Sequence, residues 1–196
     1  TGSTLVVVGT LQIGDGTTVG SSIATSSSTA VGPGATLAIN LANGETFSNS
    51  VSTSGAVNAI ASGTNTLSGI ISGGGTLNQN GSGITILTGA NTYSGTTTIN
   101  AGTLQVGNGG ATGQLGTSNV VDNSALVFNR NNTINVGNLI SGTGTLTQQG
   151  TGTTVLTASD TYTGTTFVNA GTLQIGNGTS GNITSPQINV LGGATL

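Results

Sequence analysis

The chain has 196 residues, with 36 Gly, one cationic side chain against four acidic ones, and no His, Cys, Met or Trp. A formal net charge of −3 and a single cation, Arg130, exclude a nucleic-acid partner, because one guanidinium cannot neutralise a phosphate backbone; the missing Cys excludes disulfide staples and thiolate metal sites. No window approaches the roughly 18 consecutive apolar residues of a membrane helix, so no membrane insertion by this segment is expected.

Gly and Pro together make about 19% of the chain, below the roughly 25–30% that marks low-complexity disorder, so the chain is expected to fold. Its elements are short alternating runs. TGSTLVVVGTLQIGDG (Thr1 to Gly16) opens the chain, and TLAIN (Thr36 to Asn40), TLNQN (Thr76 to Asn80), ITILT (Ile84 to Thr88) and TTINA (Thr97 to Ala101) follow. In TLQV (Thr103 to Val106), Leu104 and Val106 point one way and Thr103 and Gln105 the other, the period of a half-buried strand. ALVFN (Ala125 to Asn129), TINV (Thr133 to Val136), TLTQQ (Thr145 to Gln149) and TVLTA (Thr154 to Ala158) continue the series. Turns of the NG, GG, GTG, NGSG and GNG type separate the runs, and none carries the spacing or caps of a helix.

A block from Ile71 to Gly109 returns, diverged, from Ile140 to Gly178, an offset of 69. The earlier TLQIG at Thr10 precedes TLQVG at Thr103 by 93. The offsets differ by 24, so a coil of about 23 residues makes the first three turns and the second four, with the extra turn mostly in SVSTSGAVNAIASGTNT (Ser50 to Thr66). Fixed-spacing recurrence predicts an all-β, single-stranded parallel β-helix of about eight to nine coils, roughly 40 Å long at about 4.8 Å per coil. A β-sandwich also reads as short alternating strands, but it does not predict the gain of a whole turn between copies. The modules run 1–94, 95–163 and 164–196, the last truncated, and both ends fall within the repeat, as in a segment of a longer rod. The structural repeat positions are Leu11, Leu104 and Leu173, then Ile13, Val106 and Ile175, each set expected to lie on one face of the coil.

No constellation carries chemistry. A nucleophile relay lacks its base, and Asp15, Glu45, Asp122 and Asp160 occupy unlike repeat positions, so no catalytic residue, cofactor or metal site is expected and the chain reads as no enzyme. Asp15 and Asp160 stand where sister copies have Asn, which reads as Asx turns. Arg130 is expected to pair with the nearby Asp122. Tyr93 and Tyr162 hold equivalent positions; a corner plug bonded through its hydroxyl is favoured over an exposed sugar-stacking platform.

Leu87 to Gly109 and Leu156 to Gly178 resemble the autotransporter-associated β-strand repeat, also called the passenger-associated transport repeat. Gly75, Thr76 and Leu77, and then Gly144, Thr145 and Leu146, match its first part; Asn91, Thr92, Tyr93, Gly95, Thr97, Ile99, Gly102, Thr103 and Leu104 match its second, with departures at Ala158 and Asp160. The resemblance implies a right-handed β-helix in the secreted or surface-displayed passenger of a type V autotransporter or adhesin, delivered by a C-terminal outer-membrane barrel outside this sequence. Such a passenger supports adhesion, autoaggregation or biofilm formation, its partners being copies of itself, host or abiotic surfaces, or glycans. An alternative is the subunit of an extracellular filament grown by end-to-end stacking of β-helices.

Overall fold

A computed structural model describes residues 2–20 and 26–196; Thr1, which opens the first module, lies outside the described residues. Every regular element of the described residues is a strand, and every pairing between them is parallel. Strands pair only with strands one turn before or after them, never with their chain neighbours, so the chain winds as a β-solenoid of about 8 turns.

Three faces follow from the chain order. The first begins with Gly2–Val6, Ser26–Val31, Ser50–Thr53 and Ile71–Ser72 and resumes as Ile134–Val136, Thr153–Leu156 and Thr172–Ile175. The second stacks seven strands from Thr10–Ile13 through Thr36–Ile39, Ala56–Ala59, Thr76–Gln79, Thr97–Ile99 and Val120–Asp122 to Ile140–Ser141, with Ser159–Asp160 and Asn182–Ile183 beyond. The third stacks eight strands: Thr46–Phe47, Thr64–Leu67, Ile84–Leu87, Thr103–Val106, Ala125–Phe128, Thr145–Gln148, Thr166–Val168 and Ile188–Val190. One strand per turn on this face gives a rod of roughly 38 Å at about 4.8 Å per strand.

The core is a set of vertical ladders. On the third face Leu67, Leu87, Val106 and Phe128 stand in register and are 2% exposed or less; beside them run Leu104, Leu126 and Leu146. The second face contributes Leu37, Val57 and Leu77 in one row. Alternation puts every second residue of each strand inside, where apolar burial stabilises the coil by about 25 cal/mol per Å². Thr and Asn fill the alternate outward positions and ladder in turn: Asn78 Nδ2 donates to Asn58 Oδ1 at 2.8 Å, and Asn100 Nδ2 to Asn80 Oδ1 at 2.8 Å, each pair one turn apart.

The turn is shorter than the repeat spacing suggests. Ala56 pairs with Thr76, Thr64 with Ile84, and Leu126 with Leu146, each at an offset of 20, while Thr97 and its partner Val120 differ by 23. A spacing of 69 is therefore three turns and one further face. Thr76–Gln79 lies on the second face but its repeat Thr145–Gln148 on the third; Thr103–Val106 lies on the third but Thr172–Ile175 on the first. Leu11, Leu104 and Leu173 thus occupy three different faces, as do Ile13, Val106 and Ile175, against the expectation of a common face. Each module is turned by one third of a revolution relative to the last. The turn of Ser50–Thr53, Ala56–Ala59 and Thr64–Leu67, expected to be most of the extra turn, instead recurs in the second module as Val120–Asp122, Ala125–Phe128 and Ile134–Val136, each one face further round, so the extra turn of the first module lies elsewhere.

Candidate functional site: the repeat corners

Asn91 and Tyr93 build the corner between the first and second faces. Asn91 is fully buried, its Oδ1 accepting from the Ile71 N–H at 2.8 Å and its Nδ2 donating to the Gln114 carbonyl at 2.9 Å. The side chain therefore clamps the preceding and following turns where no regular strand forms. Two residues on, Tyr93 points inward, fully buried, with its hydroxyl 2.7 Å from Thr97 Oγ1. Burial raises its pKa, opposed by that hydroxyl and by the Gly116 N–H.

The second module repeats this geometry one face further round. Tyr162 is equally buried, with its hydroxyl 2.7 Å from Thr166 Oγ1. Asp160 replaces the Asn: its Oδ1 accepts from the Ile140 N–H at 2.8 Å, but its Oδ2 is buried without a partner. It stands in the strand Ser159–Asp160, paired with Asn182–Ile183, and not in an Asx turn. The Asp15 expectation differs in outcome: Asp15 Oδ1 accepts from the backbone N–H of Thr17 and Thr18 at 2.8 and 2.7 Å in an exposed turn, and Asn177 does the same for Thr179 and Ser180. The Thr18 hydroxyl first, and then the N–H groups of Thr18 and Thr17, hold the Asp15 carboxyl well below the usual carboxylate range.

Asp122 is also buried. It ends the strand Val120–Asp122, and alternation turns its side chain to the same interior as Val120. Oδ1 accepts from the Ser124 N–H at 3.0 Å, whereas Oδ2 has no partner. Thr53 holds the equivalent place one module earlier, likewise buried and with an unpartnered hydroxyl. A glycine covers each: a Cβ on Gly144 would lie 2.3 Å from Asp122 Oδ1, and one on Gly75 2.4 Å from Thr53 Oγ1. Desolvation pushes both Asp122 and Asp160 up to about 6, against the pull of backbone N–H groups. Burial pushes Tyr162 up to about 12, and the two carboxylates add to that rise.

Arg130 does not pair with Asp122. Its guanidinium caps the loop after Thr103–Val106, donating to the carbonyls of Ala111 and Gly113, while Nε donates to Asn132 Oδ1 at 3.0 Å. Asp122 faces the interior. Glu45 accepts from the Gly20 N–H. Asp15 thus serves a surface turn, Glu45 a half-buried one in which its Oε2 is buried without a partner, and Asp122 and Asp160 interior positions; no three of them gather as metal ligands among the described residues.

Two segments, 77–106 and 146–175, match the family model of the passenger-associated-transport-repeat. Each holds the same sequence of parts: an apolar strand, a second strand, the Asn or Asp clamp, the buried Tyr, and two closing strands. No curated protein and no solved structure shows significant similarity to the chain. The repeats and the β-solenoid fit the scaffold of an autotransporter passenger, a structural repeat family implying secretion to the cell surface.

Sequence reasoning missed the burial of Asp122, although the alternation Val120, Val121, Asp122 carries the signal. It also missed a cavity at Gln114, Asn135 and Asn138, which no local sequence pattern announces.

Proposed function

We propose that the chain is a rigid spacer in a surface-displayed passenger and that its sides make the contacts of adhesion and self-association between cells. The observation that carries this is the pairing of a continuous apolar interior with neutral outer ladders such as Asn58–Asn78 and Asn80–Asn100. Such sides offer many amide and hydroxyl groups and almost no charge, so two rods can approach without the repulsion that a charged surface imposes. Many weak polar contacts along a rod add as a multivalent array.

Beads coated with the purified chain test this reading. Clustering of coated beads, or their retention on glycan-coated or plastic surfaces above uncoated controls, is the expected result; coated beads that behave as uncoated ones overturn it. Electron microscopy of the same material addresses assembly. Separate short rods accord with a spacer, and long fibres of constant width would instead favour the end-to-end filament.

A further inference from the structure

A cavity of about 350 Å³ opens on the first face, between residues 114–117 and the strand Ile134–Val136. Here the backbone bonding between consecutive turns lapses. Asn131 donates to the Gly110 carbonyl and Val120 to the Leu139 carbonyl, but no backbone hydrogen bond joins the two turns between those points. The strand Ile134–Val136 pairs only with the turn that follows it. Asn138 spans the gap instead, its Nδ2 donating to the carbonyls of Gly116, at 2.8 Å, and Ser118.

The polar groups around this opening are pre-set. Gln114 spends its Nε2 on the Asn91 carbonyl at 2.8 Å, and Asn138 spends its Nδ2 on the two carbonyls just named. Each amide is therefore fixed in orientation and keeps an oxygen with no partner among the described residues. The exposed Thr117 hydroxyl and Asn135 carboxamide stand on the same rim, equally unpartnered. Leu115 and Ile134, with Phe128 and Val136, give the lining its apolar part. No charged side chain lines the cavity, and the Arg130 guanidinium is occupied by the Ala111 and Gly113 carbonyls.

A ligand matched to this set brings hydroxyl donors for two fixed acceptors, an apolar patch for Leu115 and Ile134, and no charge. The volume lies at the lower end of the roughly 300–1,000 Å³ of small-ligand sites. We propose that the cavity binds one ring of a neutral pyranoside. The ring's hydroxyls donate to Gln114 Oε1 and Asn138 Oδ1, and its C–H face lies on Leu115 and Ile134. Thr117 and Asn135 exchange hydrogen bonds with the remaining hydroxyls. This deepens the surface-contact reading, on which it rests, by naming the chemistry of one contact.

The test titrates the purified chain with a panel of methyl hexopyranosides, read by amide chemical shifts. The expected result is saturable binding of at least one sugar, with shifts confined to residues 114–117 and 134–138. In the double variant Thr117→Val, Asn135→Ala, binding weakens about tenfold or more. Both side chains are exposed, so an unchanged circular dichroism spectrum and melting temperature show that the variant is folded. Absence of binding by every hexoside overturns the proposal, as does unaltered binding by the double variant. Tighter binding of an octyl glycoside through its chain, with shifts that the free sugar does not reproduce, overturns it in favour of an apolar occupant. Bead clustering that persists in the double variant leaves the surface-contact reading standing, so the two can fail separately.

Discussion

Asp160 accepts a hydrogen bond from the Ile140 N–H at 2.8 Å, the bond that Asn91 accepts from Ile71 in the preceding module. An amide completes the clamp with its NH₂ group, whereas an ionised carboxylate has a second oxygen with nothing to accept from. The second module therefore holds, at Asp160 and again at Asp122, acids whose neutral form suits the interior better than their charged form.

This fixes the sign of a pH dependence. Both folded pKa values, about 6, lie above the ordinary 3.8, so the folded chain holds more protons than the unfolded chain between those limits. Stability is fullest, as far as these groups are concerned, below about pH 4. It falls as the pH rises towards 6 and is level above, by up to about 3 kcal/mol per carboxyl at 1.36 kcal/mol per unit. Melting temperatures across pH 4.5–8 check this, and a flat or rising profile with pH refutes it.

Asp160→Asn restores the group found at Asn91. The variant is expected to melt roughly 5–10 °C higher at pH 7 and to lose about half of the pH dependence, since about 1 kcal/mol shifts a chain of this size by 2–4 °C. An unchanged melting temperature at pH 7 would show that the carboxyl is not strained there.

The Tyr162 hydroxyl is predicted to matter less than its ring. Tyr162→Phe leaves Thr166 Oγ1 unpartnered and costs about 1 kcal/mol. Tyr162→Ala opens a cavity and costs about 3–5 kcal/mol. A double-mutant cycle with Thr166→Val measures the bond, and additive losses would mean that it contributes nothing.

Gly144→Ala is expected to destabilise by roughly 1–3 kcal/mol, because the added methyl would overlap the Asp122 carboxyl at 2.3 Å. Combining it with Asp122→Ala should recover much of the loss in chemical denaturation. No recovery would place the strain elsewhere.

Removing residues 51–70 joins Ser50 to Ile71 and takes out one strand from each face, since Val51 pairs with Ile71, Ala56 with Thr76 and Thr64 with Ile84, all in the same register. The shortened chain should fold cooperatively, with its denaturant m-value lower by roughly one eighth. Removing only residues 51–60 should abolish folding, because every later strand then meets the wrong face. Equal behaviour of the two deletions would contradict the register.

Much of this architecture is legible in the amino acids. Alternation in Thr103–Val106 gives the strand, recurrence gives the stacking, and the difference of 24 between offsets gives the extra turn. The rotation between modules is not legible, because 69 divides into three turns of 23 as readily as into three turns and a face at a shorter length. Only the identity of the residue paired with Leu77, which is Thr97, decides it. The corner chemistry divides in the same way. Tyr93 and Tyr162 stand out by their matched positions, but the burial of Asp160 depends on Ile140, a full turn earlier in the chain, and no local pattern announces that contact.

The quarter of the compass that a repeat faces is thus set by its number in the series. Were modules of 69 residues to continue, a repeat and the third one after it would look in one direction, roughly 48 Å apart at about 4.8 Å per turn, with the two between them looking to either side. A rod of this kind has no front or back. Anything that approaches such a rod from the side, on any bearing, meets the same corner of some repeat within that distance, without the rod having to turn about its axis.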